Sequence, residues 1–121
     1  MLQGFKAELF KALGHPVRIR ILEVLRDGEQ TVSALQVALL IDVGSVSQHL
    51  AVLRRQQLVT GRKAGTSVSY RVTDPQVFEL LDIARAIFDR QLITLQAMAN
   101  DDRLGIADAA GAADAAVTRP A

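Results

Sequence analysis

Cysteine is absent from this sequence, which excludes disulfides, thiolate metal sites and cysteine nucleophiles. Aromatic residues are also scarce, at 4% of 121 residues, so a core must consist mainly of Leu, Val, Ile and Ala. No apolar run approaches the roughly 20 residues that a membrane-spanning helix needs. The N-terminal stretch carries Lys6, Glu8 and Lys11 among its apolar residues, unlike a signal peptide. These absences predict a cytoplasmic protein without a membrane segment.

Acidic residues are missing from one window, Val43 to Thr73, which contains four Arg and one Lys. The whole chain is nearly neutral, at +1. Phosphate would repel a carboxylate, whereas Lys and Arg release condensed counterions when they bind a polyanion. The window is therefore typical of a surface that faces nucleic acid. Solvated helix faces carry similar charges, so charge alone leaves both interpretations open.

Apolar spacing predicts two helices at the start of the chain. Phe5 and Leu9 lie on one face of the first, and Gly14 is expected to end it in the left-handed conformation. Pro16 can open the second helix, because its missing N–H costs nothing in the first turn. Gly28 is expected to stop this helix.

The middle of the chain predicts a short helix capped by Thr31, a turn, and a helix capped by Asp42. Alternating residues from Val59 to Val72 then predict a β-hairpin, with a positive φ at Gly65 in its turn. A short helix, a turn, a helix with a polar outer face and a hairpin make a winged helix-turn-helix. The predicted fold class is mainly α with a small β-hairpin.

A long helix follows Asp74 and Pro75, and its apolar face is too large for a lone small domain to cover. A second copy is therefore expected to pair with this face. From residue 100 the composition changes to Ala, Gly and Asp, which predicts a disordered tail over 100–121 after a domain over 1–99. The expected dimer contacts on this helix are Val77, Leu81, Ala84, Phe88, Leu92 and Leu95.

In a helix-turn-helix, the second helix enters the major groove and its first residues meet base edges. The candidates for reading bases are Gly44, Ser45, Ser47, Gln48 and His49. The candidates for holding phosphates are Arg54, Arg55, Arg62, Lys63 and Thr66. Arg54 and Arg55 also suit the C-terminus of a helix by charge alone, which is the alternative interpretation of that pair.

Two segments, FKALGHPVRIRILEVLRDGEQTVSAL and VSQHLAVLRRQQLVTGRKAGTSVSYRV, carry a resemblance to a known family. Together they resemble the ArsR/SmtB family of small winged-helix repressors. The resemblance covers residues 5–98 and implies a homodimer built by the first and last helices, which adds Phe5 and Leu9 of the first helix to the expected dimer contacts. It also implies binding to an imperfectly palindromic double-stranded DNA operator.

The resemblance implies metal-responsive sites as well, but their ligands are missing here. Thr31 and Ser33 occupy the positions of the family's thiolates, and neither can replace a thiolate for a soft metal. For the family's site on the last helix, Asp74 matches, but the histidines are missing, and Ile87 and Arg90 stand at ligand positions. We therefore expect no tightly bound metal cofactor.

Other sites and functions stay open as alternatives. His15 is expected to cap or pack, but it could bind a divalent metal such as nickel or zinc weakly, as could Asp101 and Asp102. The alternatives are then a direct metal sensor with a non-standard site, a separate sensory partner protein, or a winged helix that binds only proteins. Catalysis is not expected, since the sequence lacks a nucleophile elbow and a phosphate loop.

Overall fold

The computed structural model describes residues 1–105, with side chains up to 102. The elements are α1 (Leu2–Leu13), α2 (Pro16–Val24), a 3-10 turn (Leu25–Asp27), β1 (Gln30–Thr31), α3 (Val32–Leu39), α4 (Val43–Arg55), β2 (Val59–Ala64), β3 (Ser67–Val72) and α5 (Gln76–Gly105). The predicted order of helices and hairpin is confirmed. No single helix in this range is long and apolar enough to cross a membrane. Taken together, α3 and α4 reach the required length and apolar composition, but they are bent by 112° at their junction.

The chain divides into two compact units. The first, residues 1–78, contains the whole winged helix-turn-helix. The second starts at Glu79 and, as far as it is described, consists of the rest of α5. This helix runs through the start of the predicted tail to Gly105, past the expected boundary at residue 100. The remainder of that predicted tail, 106–121, lies outside the described residues.

Three predicted helix starts are confirmed. The Thr31 hydroxyl accepts a hydrogen bond from the Ala34 amide at 3.0 Å, and an Asp42 carboxylate oxygen accepts one from Ser45 at 3.0 Å. Such caps satisfy amides that lack a partner in the first helical turn. His15 also acts as a cap, since its Nδ1 accepts from the backbone amide of Val17 at 3.1 Å.

The prediction for Gly14 is wrong, because this residue has φ −81° and ψ 36° rather than a left-handed conformation. A left-handed glycine would normally help to satisfy the last carbonyls of the helix. Here the guanidinium of Arg18 donates to the carbonyls of Lys11 and Ala12 instead. The end of α1 therefore receives hydrogen bonds from a side chain of α2, in addition to the one that the Gly14 amide donates to the Lys11 carbonyl at 3.1 Å.

The core of the first unit is aliphatic, as the composition predicted. Its most deeply buried residues come from α2, α3 and α4 and from β2: Ile21, Leu22, Leu35, Val46, Leu50, Leu53 and Val59. Burying such side chains is the main favourable term in folding. This core fixes which side of α4 faces inward.

The sheet has one strand more than the predicted hairpin. The strands are ordered β1-β3-β2, and β1 pairs antiparallel with β3 through Gln30 opposite Tyr70. A strand of two residues is too short to show alternation, so the sequence pattern missed it. The predicted positive φ in the hairpin turn is confirmed at Gly65, where φ is 62°.

Candidate nucleic-acid interface

Helix α4 separates into a buried side and an exposed polar side. Val46, Leu50 and Leu53 are buried. Gly44, Ser47 and Gln48 are exposed, and their spacing of three and four residues puts them on one face. Three of the predicted base-reading residues therefore lie together near the start of the helix.

Ser45 has a structural partner. Its hydroxyl donates to Asp42 at 2.8 Å, and its backbone amide donates to the other oxygen of the same carboxylate. The hydrogen bond from the Ser45 hydroxyl, followed by that from the amide, lowers the pKa of Asp42. The carboxylate therefore stays ionised at neutral pH and holds the start of α4, and Ser45 is half-buried beside it.

His49 does not share the exposed face. Its half-buried ring lies 4.3 Å from the ring of His15, measured between centroids. Its Nδ1 is 3.4 Å from the guanidinium of Arg18. Burial lowers the pKa of His49, and the neighbouring His15 and Arg18 lower it further. The structure thus places this predicted base reader against the α1–α2 junction.

The wing carries Arg62 near its tip, and this side chain already has a partner. Its Nε and Nη2 each donate to one oxygen of Glu29 at 3.0 Å. The hydrogen bond from Arg62 lowers the pKa of Glu29, and the same bond raises the pKa of Arg62. Lys63 and Thr66 are exposed at the same end of the hairpin. The acid-free window, Val43 to Thr73, is therefore in contact with an acidic residue from outside it, Glu29.

Arg54 is tied to the sheet. It donates to the Tyr70 hydroxyl at 3.0 Å. Tyr70 lies opposite Gly61 in the hairpin, where an added Cβ would stand 3.0 Å from the ring, so a larger residue would require the ring to move by a few tenths of an ångström. Arg55 is exposed, seven residues after Gln48, and so continues the polar face of α4.

Two residues without a predicted role, Arg20 and Arg18, link the helices of the winged unit by side-chain hydrogen bonds. Arg20 donates to the carbonyl of Leu39 at 3.0 Å, at the end of α3. The next residue, Leu40, turns the chain with a left-handed φ of 58°. Arg18 is the second, through its hydrogen bonds to the last carbonyls of α1. A short-range signal was available, since both arginines alternate with apolar residues in the stretch VRIRIL.

The candidate metal ligands do not come together. Among residues whose side chains are described, no group of three or more His, Cys, Asp or Glu could hold a metal ion. Thr31 caps α3, and His15 caps α2. Asp101 is exposed and Asp102 half-buried near the end of α5. On α5, an open groove of about 440 Å³ is lined by Ile87, Arg90, Gln91, Thr94 and Leu95, without an imidazole or a carboxylate.

The expected dimer contacts differ in exposure. Phe5 on α1 and Phe88 on α5 are 56% and 53% exposed. Val77 and Leu81 are buried within the single chain. Of the others, Ala84 is exposed, and Leu9, Leu92 and Leu95 are half-buried. Further large apolar side chains of α5 are exposed, namely Ile83, Ile87, Ile93 and Met98.

Comparison with known proteins places this geometry among characterised folds. A helix-turn-helix domain family matches residues 13–62. The HTH-type transcriptional regulator Rv0081 of Mycobacterium tuberculosis is 42% identical over 108 residues, which cover 86% of this chain and 92% of that protein. Its crystal structure superposes with a TM-score of 0.71 at 39% identity, over 77% of this chain and 94% of that one.

Two further relatives carry more specific descriptions. The HTH-type transcriptional repressor SmtB of M. tuberculosis is 43% identical over 67 residues, covering 55% of this chain and 50% of that protein. The solution structure of Mb0332 from Mycobacterium bovis is described as a homodimeric winged helix-turn-helix DNA-binding domain of a possible ArsR-family regulator. It matches with a TM-score of 0.69 at 31% identity, over 75% of this chain and 84% of that one.

Proposed function

We propose, from the premise that this chain belongs to the ArsR/SmtB family of winged helix-turn-helix transcriptional regulators, that it is a repressor that binds a palindromic DNA operator as a homodimer. The comparisons confirm the predicted family and fold class. The relatives are transcriptional regulators, in agreement with the expectation that the chain is not an enzyme. A regulator of this kind acts where the DNA is, so we place its function in the cytoplasm.

The observation that carries the proposal is the exposed face of α4. Gln48 presents an amide that can pair with adenine, while Ser47 can donate to or accept from several bases. Gly44 has no side chain beyond its Cα, so the backbone there can approach a base edge closely. All three lie in the half of the recognition helix that meets bases in helix-turn-helix complexes.

Exposed residues at the end of α4 and on the wing are the candidates for holding phosphates. Arg55 ends α4 on the same side as Gln48, and Lys63 and Thr66 are exposed on the wing. Contacts to phosphate position the protein on the duplex, whereas the α4 face supplies the sequence information. We assign Arg54 and Arg62 to the same phosphate-binding surface. In the free protein, Arg54 is hydrogen-bonded to Tyr70 and Arg62 to Glu29.

The dimer is supported by apolar surface that the single chain leaves open. Phe88 and its neighbours on α5 are large and exposed, and so is Phe5 on α1. Exposed apolar patches of this kind mark protein–protein contacts. The relative Mb0332 is described as homodimeric. A twofold dimer would present two α4 helices to half-sites about 34 Å apart.

A binding experiment tests the proposal. Purified protein is used to select fragments from genomic DNA of its own source, and the affinity for the recovered site is measured over a salt series. We expect affinity to fall steeply with salt for any duplex, and the palindromic site to bind much more tightly than a scrambled duplex. Equal affinity for both duplexes would overturn the proposal.

A further inference from the structure

One guanidinium joins three helices of the winged unit. Arg18 on α2 donates through Nε to the carbonyl of Ala12 and through Nη2 to that of Lys11, at 3.2 Å, in the last turn of α1. Its remaining nitrogen, Nη1, lies 3.4 Å from Nδ1 of His49 on α4. The end of α1 and the recognition helix are therefore connected through a single side chain.

The direction of the last contact follows from chemistry. Arginine remains protonated in proteins and can only donate hydrogen bonds. Nδ1 of His49 must therefore accept, which requires a neutral imidazole with its proton on Nε2. A protonated His49 would turn an N–H toward the N–H of Arg18 and lose this contact.

The surroundings of His49 favour the same state. Of the elements that pack against α4, the groups that act on His49 are Arg18 from α2 and His15 from the α1–α2 junction. Both are cations when protonated, so both oppose a second positive charge. His15 itself accepts a hydrogen bond from the Val17 amide through Nδ1, so its acceptor is also in use.

We propose that Arg18 is a positioning residue for DNA reading, which holds the recognition helix in register with α1 through His49 as long as His49 is neutral. His49 directly follows Gln48, so the contact acts next to the main base-reading side chain. Because base-edge hydrogen bonds are short and directional, a small shift of α4 costs recognition more than it costs general attraction to phosphate. The inference rests on the proposed function and adds a pH-dependent control of the same site.

The test compares operator affinity with affinity for a scrambled duplex between about pH 7.5 and about pH 5.5, where histidines change charge. For the wild type, we expect operator affinity to fall toward the acidic end. Arg18→Lys keeps the charge but replaces the three separate nitrogens of the guanidinium fork by one, which cannot reach all three acceptors from a single position. It should lose about tenfold in operator affinity at neutral pH, the size of one charge-assisted hydrogen bond, with little change on the scrambled duplex.

His49→Asn is the decisive variant, because the Asn oxygen can occupy the place of Nδ1 and accept from Arg18 without titrating. We expect it to keep operator affinity at neutral pH and to lose the acidic decrease. His15→Ser is the matched control, since serine can still cap α2, and its acidic decrease should persist. These two positions hold the only histidines of the chain.

Three results would overturn the inference: an unchanged pH profile in His49→Asn, loss of the profile in His15→Ser alone, or equal losses on both duplexes in Arg18→Lys. A readout without DNA separates this failure from failure of the proposed function. Nitrogen NMR of the free protein should show His49 protonated on Nε2 only, and Arg18→Lys should shift the Gln48 amide signal. If His49 had another protonation state and the Gln48 signal did not shift, the positioning role would be refuted even in a protein that bound no operator.

Discussion

Arg62 on the wing and Glu29 before β1 form a two-point ion pair, with both N–O distances at 3.0 Å. Glu29 thus occupies the guanidinium fork that would otherwise match a phosphate group. DNA must displace this carboxylate to recruit Arg62. The pair therefore links the wing to the residue before β1 and, in the proposed complex, would compete with phosphate for Arg62.

The first prediction concerns that competition. Glu29→Gln removes the competing charge, so DNA affinity should rise several-fold on operator and scrambled duplexes alike, because phosphate contacts carry no sequence information. Fluorescence anisotropy at fixed salt measures both. Glu23→Gln is the control, since it removes an equal charge from the Glu23–Arg26 pair on another part of the winged unit. A rise of the same size in both variants would attribute the effect to net charge alone.

The second prediction separates base reading from phosphate binding. Gln48→Ala should weaken operator binding by about 1–3 kcal/mol and leave the scrambled duplex nearly unaffected. Arg55→Ala should weaken both and reduce the slope of affinity against salt by about one unit. The two residues lie on the same face of α4, so a difference between the two variants reflects the type of DNA contact and not the side of the helix. Parallel losses in the two variants would remove Gln48 from the reading face.

The third prediction concerns assembly. Light scattering should give twice the chain mass of 13.1 kDa for the wild type. Phe88→Asp should dissociate the dimer, because a charge would be buried unpaired in the interface. Phe88 is 53% exposed in the single chain, so the monomer should keep its helical circular dichroism. Gln96→Asp is the control, because Gln96 is exposed seven residues after Asp89 and so lies on a side of α5 that already carries a carboxylate; a loss of the dimer there too would disprove the assigned face.

The fourth prediction concerns stability against pH. The pKa of His49 in the folded chain lies below its ordinary value of 6.5. The unfolded chain therefore binds more protons in the interval between the two values, so stability must rise with pH there. We expect the thermal midpoint to be constant above that interval and to fall as pH drops below 6.5. His49→Asn should flatten the curve; an identical fall in that variant would assign the effect to other groups.

The fifth prediction concerns metals. Soft and borderline metals bind tightly through several N or S ligands in fixed geometry, and the described side chains bring no three candidate ligands together. Titration calorimetry with zinc and nickel should therefore show at most weak binding. A stoichiometric nanomolar site, abolished by replacing His15 and His49 together with Ala, would instead make the chain a direct metal sensor.

Much of the architecture was predictable because it depends on neighbours in the chain. Thr31 and Asp42 bond amides three residues away. The buried side of α4 follows from apolar residues spaced by three and four positions. The hairpin needs only alternating residues and a Gly65 that tolerates a positive φ. These features are determined by local conformational preference and by the period of the apolar pattern.

The partners of the functional side chains depended on the tertiary structure. Arg62 and Glu29 are 33 residues apart, and Arg18 and His49 are 31 apart. Neither pair has a periodic signature, because packing of the aliphatic core decides which distant side chains meet. The sequence alone determined that α4 has a polar face and that the chain from Val43 to Thr73 carries basic but no acidic residues. Only the tertiary structure decided that Glu29 pairs with Arg62 and that His49 contacts Arg18 instead of lying on the exposed face of α4, since both contacts require the helices and the sheet to be assembled first.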